Sequence, residues 1–148
     1  MGKSKKKRFS ASLEDYLEAI YLNRDNKGEA RPKQITAHLG VSGASVTEAC
    51  QQLREKSLIN YAPYGAITLT PEGEKYASEV FFRHETLRDF FIEVLKIDPV
   101  IADEGACKME HVVSSTIVDR MIKYREYLRK GDQSGAEDGF ARFLDKKQ

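Results

Sequence analysis

Arg31-Pro32-Lys33-Gln34-Ile35-Thr36-Ala37-His38-Leu39-Gly40-Val41-Ser42 decides the fold of this chain. Proline is pre-organised for a first helical turn, so the stretch predicts a short helix starting near Pro32, with Ile35 and Leu39 facing inward. Gly40 supplies the turn that ends it, and Ser42 caps the next helix. That helix is expected over residues 43–56. Val46, Ala49, Cys50 and Leu53 recur at helical spacing and form its buried stripe, which leaves Ala44, Thr47, Glu48 and Gln51 outward. The pair is a helix-turn-helix, whose second helix enters a DNA major groove by its N-terminal end. Ser42 and Ser45 suit phosphates there, Thr47 and Gln51 suit base edges, and Ala44 suits a thymine methyl. Glu48 repels phosphates unless it accepts from a cytosine amino group.

Downstream, Leu58-Ile59-Asn60-Tyr61 and Ala66-Ile67-Thr68-Leu69-Thr70 flank Ala62-Pro63-Tyr64-Gly65, which predicts two short strands about a turn. A hairpin directly after a helix-turn-helix makes a wing. The competing reading is a small helical-plus-hairpin fold with a protein partner; agreement of turn, cap and wing favours DNA. Upstream, Ser12 followed by Leu13, Tyr16, Leu17, Ile20 and Tyr21 predicts an N-capped amphipathic helix with Glu14 and Asp15 in its first turn. Asp15 and Glu18, three apart, share the face opposite the apolar stripe, and by themselves read as a solvated face. Asn23 to Gly28 reads as a polar connection.

After the wing, Thr70-Pro71-Glu72-Gly73 caps a long helix expected to run to about Leu95, with Val80, Phe81, Leu87 and Phe91 as its apolar stripe. His84 lies inside that stripe, where a lone histidine is ordinarily a satisfied core residue. Residues 96–103 read as a connection. Cys107-Lys108-Met109-Glu110-His111 then places a thiol, a carboxylate and an imidazole on one helical face, while Met109, Val112 and Val113 face a packed side. That donor set suits a borderline-soft divalent transition ion and not calcium or magnesium. The alternative is a small buried cysteine beside a solvated Glu-His pair. An amphipathic segment over 116–128 carries Ile117, Met121 and Tyr124. The apolar surface of these helices exceeds what a domain of this size can hide, which implies a homodimer. Residues 131–139 read as a linker and Phe140-Ala141-Arg142-Phe143-Leu144 as one docked turn.

The 148 residues suffice for one ordinary domain or two small ones. Cys50 and Cys107 lie far apart without a secretory signal, so they read as reduced thiols of a cytoplasmic protein. No apolar run approaches the ~20 residues of a membrane span. Lys3, Lys5, Lys6, Lys7 and Arg8 hold five of the 24 basic residues; the remaining 19 against 23 acids leave a body of net charge −4. A basic arm on an acidic body is what a polyanion-binding extension looks like, and equally a solubilising tail. There is no Gly-rich phosphate loop and no nucleophile-base pair, so neither an enzyme nor a small organic substrate is expected.

Four motifs, Glu14-Asp15-Tyr16-Leu17-Glu18-Ala19-Ile20-Tyr21, Val41-Ser42-Gly43-Ala44-Ser45-Val46-Thr47, Phe82-Arg83-His84-Glu85-Thr86-Leu87 and Cys107-Lys108-Met109-Glu110-His111-Val112-Val113-Ser114, together resemble the diphtheria-toxin-repressor family of metal-dependent transcriptional repressors, which includes the manganese transport regulators. The resemblance spans about Leu13 to Leu128. It implies a mainly α fold: a winged helix-turn-helix domain over 11–71, a helical dimerisation and metal-binding domain over 72–130, a basic arm over 1–10 and a tail over 131–148. It also implies that metal bridges the first helix to the dimerisation domain and that the metallated dimer binds operator DNA. Carried over by position, the metal ligands are Asp15, Glu18, His84, Cys107, Glu110 and His111. Asp15 and Glu18 resemble the manganese branch and Cys107 the iron branch, making the set a hybrid. A thiolate with hard carboxylates suits iron(II) first and manganese(II) close behind. Only about twenty residues follow the last long helix, so the resemblance is to a short form without the SH3-like domain of the iron regulators, or the ligands it gives a second metal site. Asp103 and Glu104 read either as contributors to such a site or as caps. Two other functions compete: a winged-helix regulator sensing redox state through Cys107, and a helical metalloprotein without a DNA role.

Overall fold

Gly40 adopts φ 64° and ψ 37°, the left-handed conformation that costs glycine least, and there the chain turns between the two helices read from the sequence. The computed structural model describes residues 11–63, 65–131 and 134–146. The basic arm expected over residues 1–10 lies outside the described residues. In chain order the elements are α1 (Ala11–Leu22), β1 (Glu29–Ala30), α2 (Pro32–Leu39), α3 (Gly43–Glu55), β2 (Ile59–Tyr61), β3 (Ile67–Leu69), α4 (Pro71–Glu93), α5 (Pro99–Met109), α6 (Ser115–Lys130) and α7 (Ser134–Asp145). They form two compact units, one ending at Phe81 and the other beginning at Phe82, within α4. The fold is mainly α, with a winged helix-turn-helix followed by helices, as expected.

In the first unit, Pro32 opens α2 and the Gln34 side chain accepts from the Arg31 backbone N–H at 2.7 Å. Ser42 caps α3, its Oγ accepting from Ser45 N–H at 3.1 Å. Val46, Ala49, Cys50 and Leu53 are buried as the spacing required, with Leu17, Ile20, Ile35, Leu58 and Ile67 completing the core. Burial pushes the Cys50 thiol up to about 11. β2 and β3 pair antiparallel with Asn60 opposite Thr68.

Three departures from expectation belong to this unit. α1 begins at Ala11, so Ser12 lies inside the helix and does not cap it. A third strand, β1, pairs with the other side of β3, Glu29 opposite Thr68 and Ala30 opposite Ile67. Asp25 directs it: its Oδ1 accepts from Lys27 and Glu29 N–H at 2.8 and 3.0 Å, and these bonds hold its carboxyl below the usual range. Glu18, read as part of a solvated face, is only 8% exposed, while Asp15 is half-buried. Glu14 is fully buried and accepts a hydrogen bond from the Tyr76 hydroxyl. Thr70 starts α4 by accepting from Gly73 N–H at 3.0 Å. A Cβ on Gly73 would lie 1.8 Å from Leu58 O, so this close approach admits only glycine.

In the second unit, Leu87, Ala106, Val113 and Val118 form a small core flanked by Phe91, Met121 and Ile122. Here α4 ends at Glu93 and not Leu95. The region read as a connection over 96–103 starts α5 at Pro99, capped by Asp98, whose Oδ1 accepts from Val100 N–H at 2.9 Å. Asp103 and Glu104 are therefore not its caps. α5 closes at Met109, so Glu110 and His111 stand at and beyond its C-terminal end; Met109 and Val112, expected to pack, are exposed, and only Val113 is buried. The linker-plus-turn expected at the end is the longer helix α7, with Phe140, Phe143 and Leu144 exposed. No helix among the described residues is long and apolar enough to cross a membrane.

Candidate metal centre and nucleic-acid interface

His84 is carried on α4 and turned inward between two carboxylates. Its Nδ1 lies 2.7 Å from Glu110 Oε2 and its Nε2 lies 2.8 Å from Asp103 Oδ1. His84, Cys107 and Glu110 each offer a ligand atom within 4.8 Å of the others. Glu110 is fully buried, and its other oxygen, Oε1, has no hydrogen-bond partner among the described residues and faces His111 Nε2 at 3.4 Å. The Arg83 guanidinium donates from Nε to the Glu110 carbonyl at 2.8 Å, fixing the backbone at the end of α5. Cys107 is exposed, not the small buried cysteine of the alternative reading.

Cys107 foremost, then Glu110 and Asp103, stabilise the protonated His84 ring, and they push its pKa up to about 11 against the opposing effect of burial. A fully buried carboxylate with one oxygen lacking a hydrogen bond is costly unless a cation or donor completes it. Thiol, imidazole and carboxylate donors on this scale fit a borderline-soft divalent transition ion. The structure thus brings together His84, Cys107 and Glu110 and sets His111 beside Glu110. Asp15 and Glu18 belong to α1 of the first unit. Sequence reasoning missed Asp103 as a partner of His84, although its position one turn before Cys107 on α5 was a usable signal, and it missed Arg83.

On α3, Ala44, Thr47, Glu48 and Gln51 are exposed, as is Ser42, while Ser45 is half-buried. Ser42 and Ser45 hydroxyls lie 2.9 Å apart, and Thr47 donates its hydroxyl to Gly43 O at 3.0 Å, so toward DNA its oxygen can only accept. From Gly43 to Leu53 the helix carries no Lys or Arg, so its reading face brings no cation to the phosphates.

An exposed recognition helix with a wing, followed by a helical unit holding transition-metal donors, defines a metal-responsive DNA-binding regulator. Comparison with known proteins agrees. A family model described as the iron dependent repressor, N-terminal DNA binding domain, matches residues 8–67, and one described as its metal binding and dimerisation domain matches 70–137. An uncharacterised HTH-type transcriptional regulator of Methanocaldococcus jannaschii is 36% identical over 118 residues, 79% of this chain and 94% of that protein. The HTH-type transcriptional regulator MntR of Bacillus pumilus is 30% identical over 126 residues, 85% and 87% of the two chains. Among solved structures, the manganese regulator SloR superposes with TM-score 0.68 at 29% identity over 78% of this chain and 54% of its own. For T. acidophilum IdeR the values are 0.65, 27%, 76% and 53%. The chain spans about half the length of these two solved regulators. It belongs to the diphtheria-toxin-repressor and manganese-transport-regulator family of metal-dependent transcriptional regulators. That family consists of regulators and not enzymes.

Proposed function

We propose that this chain is a cytoplasmic repressor of metal-homeostasis genes that binds double-stranded operator DNA as a homodimer when loaded with divalent iron, with manganese(II) second. The observation that carries this reading is the buried Glu110 carboxylate, one oxygen on His84 Nδ1 and the other facing His111 Nε2 without a hydrogen bond. The ligands are His84, Cys107, Glu110 and His111 from the second unit with Asp15 and Glu18 from α1. A bound divalent ion supplies the positive charge that these carboxylates and the Cys107 thiolate need to stand together. The thiolate favours iron(II) over manganese(II), whereas carboxylates accept either.

On DNA, Ser42 and Ser45 hold phosphates at the start of α3, Gln51 and Thr47 meet base edges, Ala44 meets a thymine methyl and Glu48 accepts from cytosine. Because α3 contributes no cation from Gly43 to Leu53, the electrostatic share of affinity falls on Lys3, Lys5, Lys6, Lys7 and Arg8 among others. The test is DNA selected from a random pool, followed by anisotropy under anaerobic, reducing conditions. Iron(II) should tighten binding of the parent at least tenfold and leave Glu110→Gln unaffected; equal affinity with and without ion contradicts the reading. The exposure of Cys107 favours a second reading, a redox switch, which predicts a response to oxidant without added ion and its loss in Cys107→Ser.

A further inference from the structure

His84 offers each of its ring nitrogens to a different carboxylate, and the two carboxylates differ in kind. Glu110, on Nδ1, is wholly buried within the cluster that includes Cys107; Asp103, on Nε2, keeps 53% of its side chain exposed while that of His84 keeps 7%. An imidazole that binds a cation through one nitrogen carries its proton on the other, and an acceptor for that proton fixes both ring orientation and tautomer. Asp98 already caps α5, so capping does not account for Asp103. Asp103 sits one turn before Cys107 on the same helix, so a single rigid element presents the thiol and the acceptor together.

We propose that Asp103 is a positioning residue: it accepts the Nε2–H of His84, holds the ring with Nδ1 turned toward Glu110, and so strengthens His84 as a ligand for a divalent transition ion without touching that ion. This rests on the metal reading of the cluster. Its partial exposure means that replacing it strands no buried charge, so its variants should fold.

The experiment uses cobalt(II) as the probe on the full chain under anaerobic, reducing conditions, in the parent, Asp103→Ala, Asp103→Asn and Cys107→Ser. Asp103→Ala should weaken cobalt(II) binding about tenfold, the lower end of what outer carboxylates contribute. Asp103→Asn keeps an acceptor for Nε2–H and should recover most of that loss. The ligand-field bands should match those of the parent in both Asp103 variants. In the zinc-loaded parent, 15N shifts should place the His84 proton on Nε2 in a hydrogen bond, and the Nε2 resonance should move in Asp103→Ala as that hydrogen bond is lost. Unchanged affinity and unchanged 15N shifts in Asp103→Ala overturn the inference. So does loss of an oxygen ligand from the cobalt spectrum, which makes Asp103 a direct ligand. A parent chain that takes up no cobalt(II), or takes it up equally well in Cys107→Ser, overturns the reading of the cluster and the inference together.

Discussion

Cys50 and Cys107 show how two chemically identical side chains are separated by their surroundings. Cys50 is sealed in the core of the first unit with its thiol pushed up to about 11, whereas Cys107 is exposed beside His84 and Glu110. Iodoacetamide at pH 8 should therefore alkylate Cys107 and spare Cys50 in the native chain, as peptide mapping would show. Iron(II) or manganese(II) should slow that reaction severalfold; equal rates with and without ion speak against Cys107 as a ligand. At Gly73 the constraint is steric. Gly73→Ala drives a methyl into the Leu58 carbonyl and should cost roughly 2 kcal/mol or more in urea unfolding, since backbone must move to admit it.

Between elements, α4 and α6 are tied by Glu93, which accepts from Arg125 Nε and Nη2 at 3.1 and 2.8 Å and from Arg129 Nη2 at 2.9 Å. Burial opposes the charge on Glu93, but the two guanidinium groups hold its carboxyl below the usual carboxylate range. A lowered folded pKa adds stability above the unfolded value near 4.3, and that stability is lost as pH falls through the folded value. Glu93→Gln should therefore cost about 1 kcal/mol at pH 7, discounted for solvent screening, and progressively less as pH falls below the unfolded value in denaturant titrations. Elements whose signals sit within one turn of themselves were legible: Pro32, Gly40 and Ser42 announced α2 and α3 without help from the rest of the chain. β1 was not, because two residues become a strand only by pairing with β3 far along the sequence. The start of α5 was hidden because Pro99 reads as a breaker within a connection, whereas Asp98-Pro99 is a cap followed by a favourable first helical residue.

At the scale of the whole molecule, the candidate site was legible as donor chemistry but not as geometry. Residue types and spacing gave Cys107, Glu110 and His111, and only the resemblance added His84, which by itself read as a core histidine; the fold alone shows Glu110 sealed from solvent and Asp103 on the far nitrogen of His84. Charge distribution makes its own prediction. Replacing Lys3, Lys5, Lys6, Lys7 and Arg8 by glutamine should flatten the dependence of log affinity on log salt, by about 0.9 for each phosphate the arm no longer neutralises, equally on specific and non-specific DNA. An unchanged slope removes the arm from the interface. Glu48→Gln should instead relax discrimination at one base pair while tightening binding overall.

If occupancy of the metal centre and of the DNA-reading face are linked, each must alter the other by the same factor. Iron(II) affinity measured by anaerobic competition titration, with and without saturating operator duplex, therefore meets the central claim most directly. DNA should tighten the ion by about tenfold, ~1.4 kcal/mol of coupling. An ion affinity that is the same on and off DNA would contradict it.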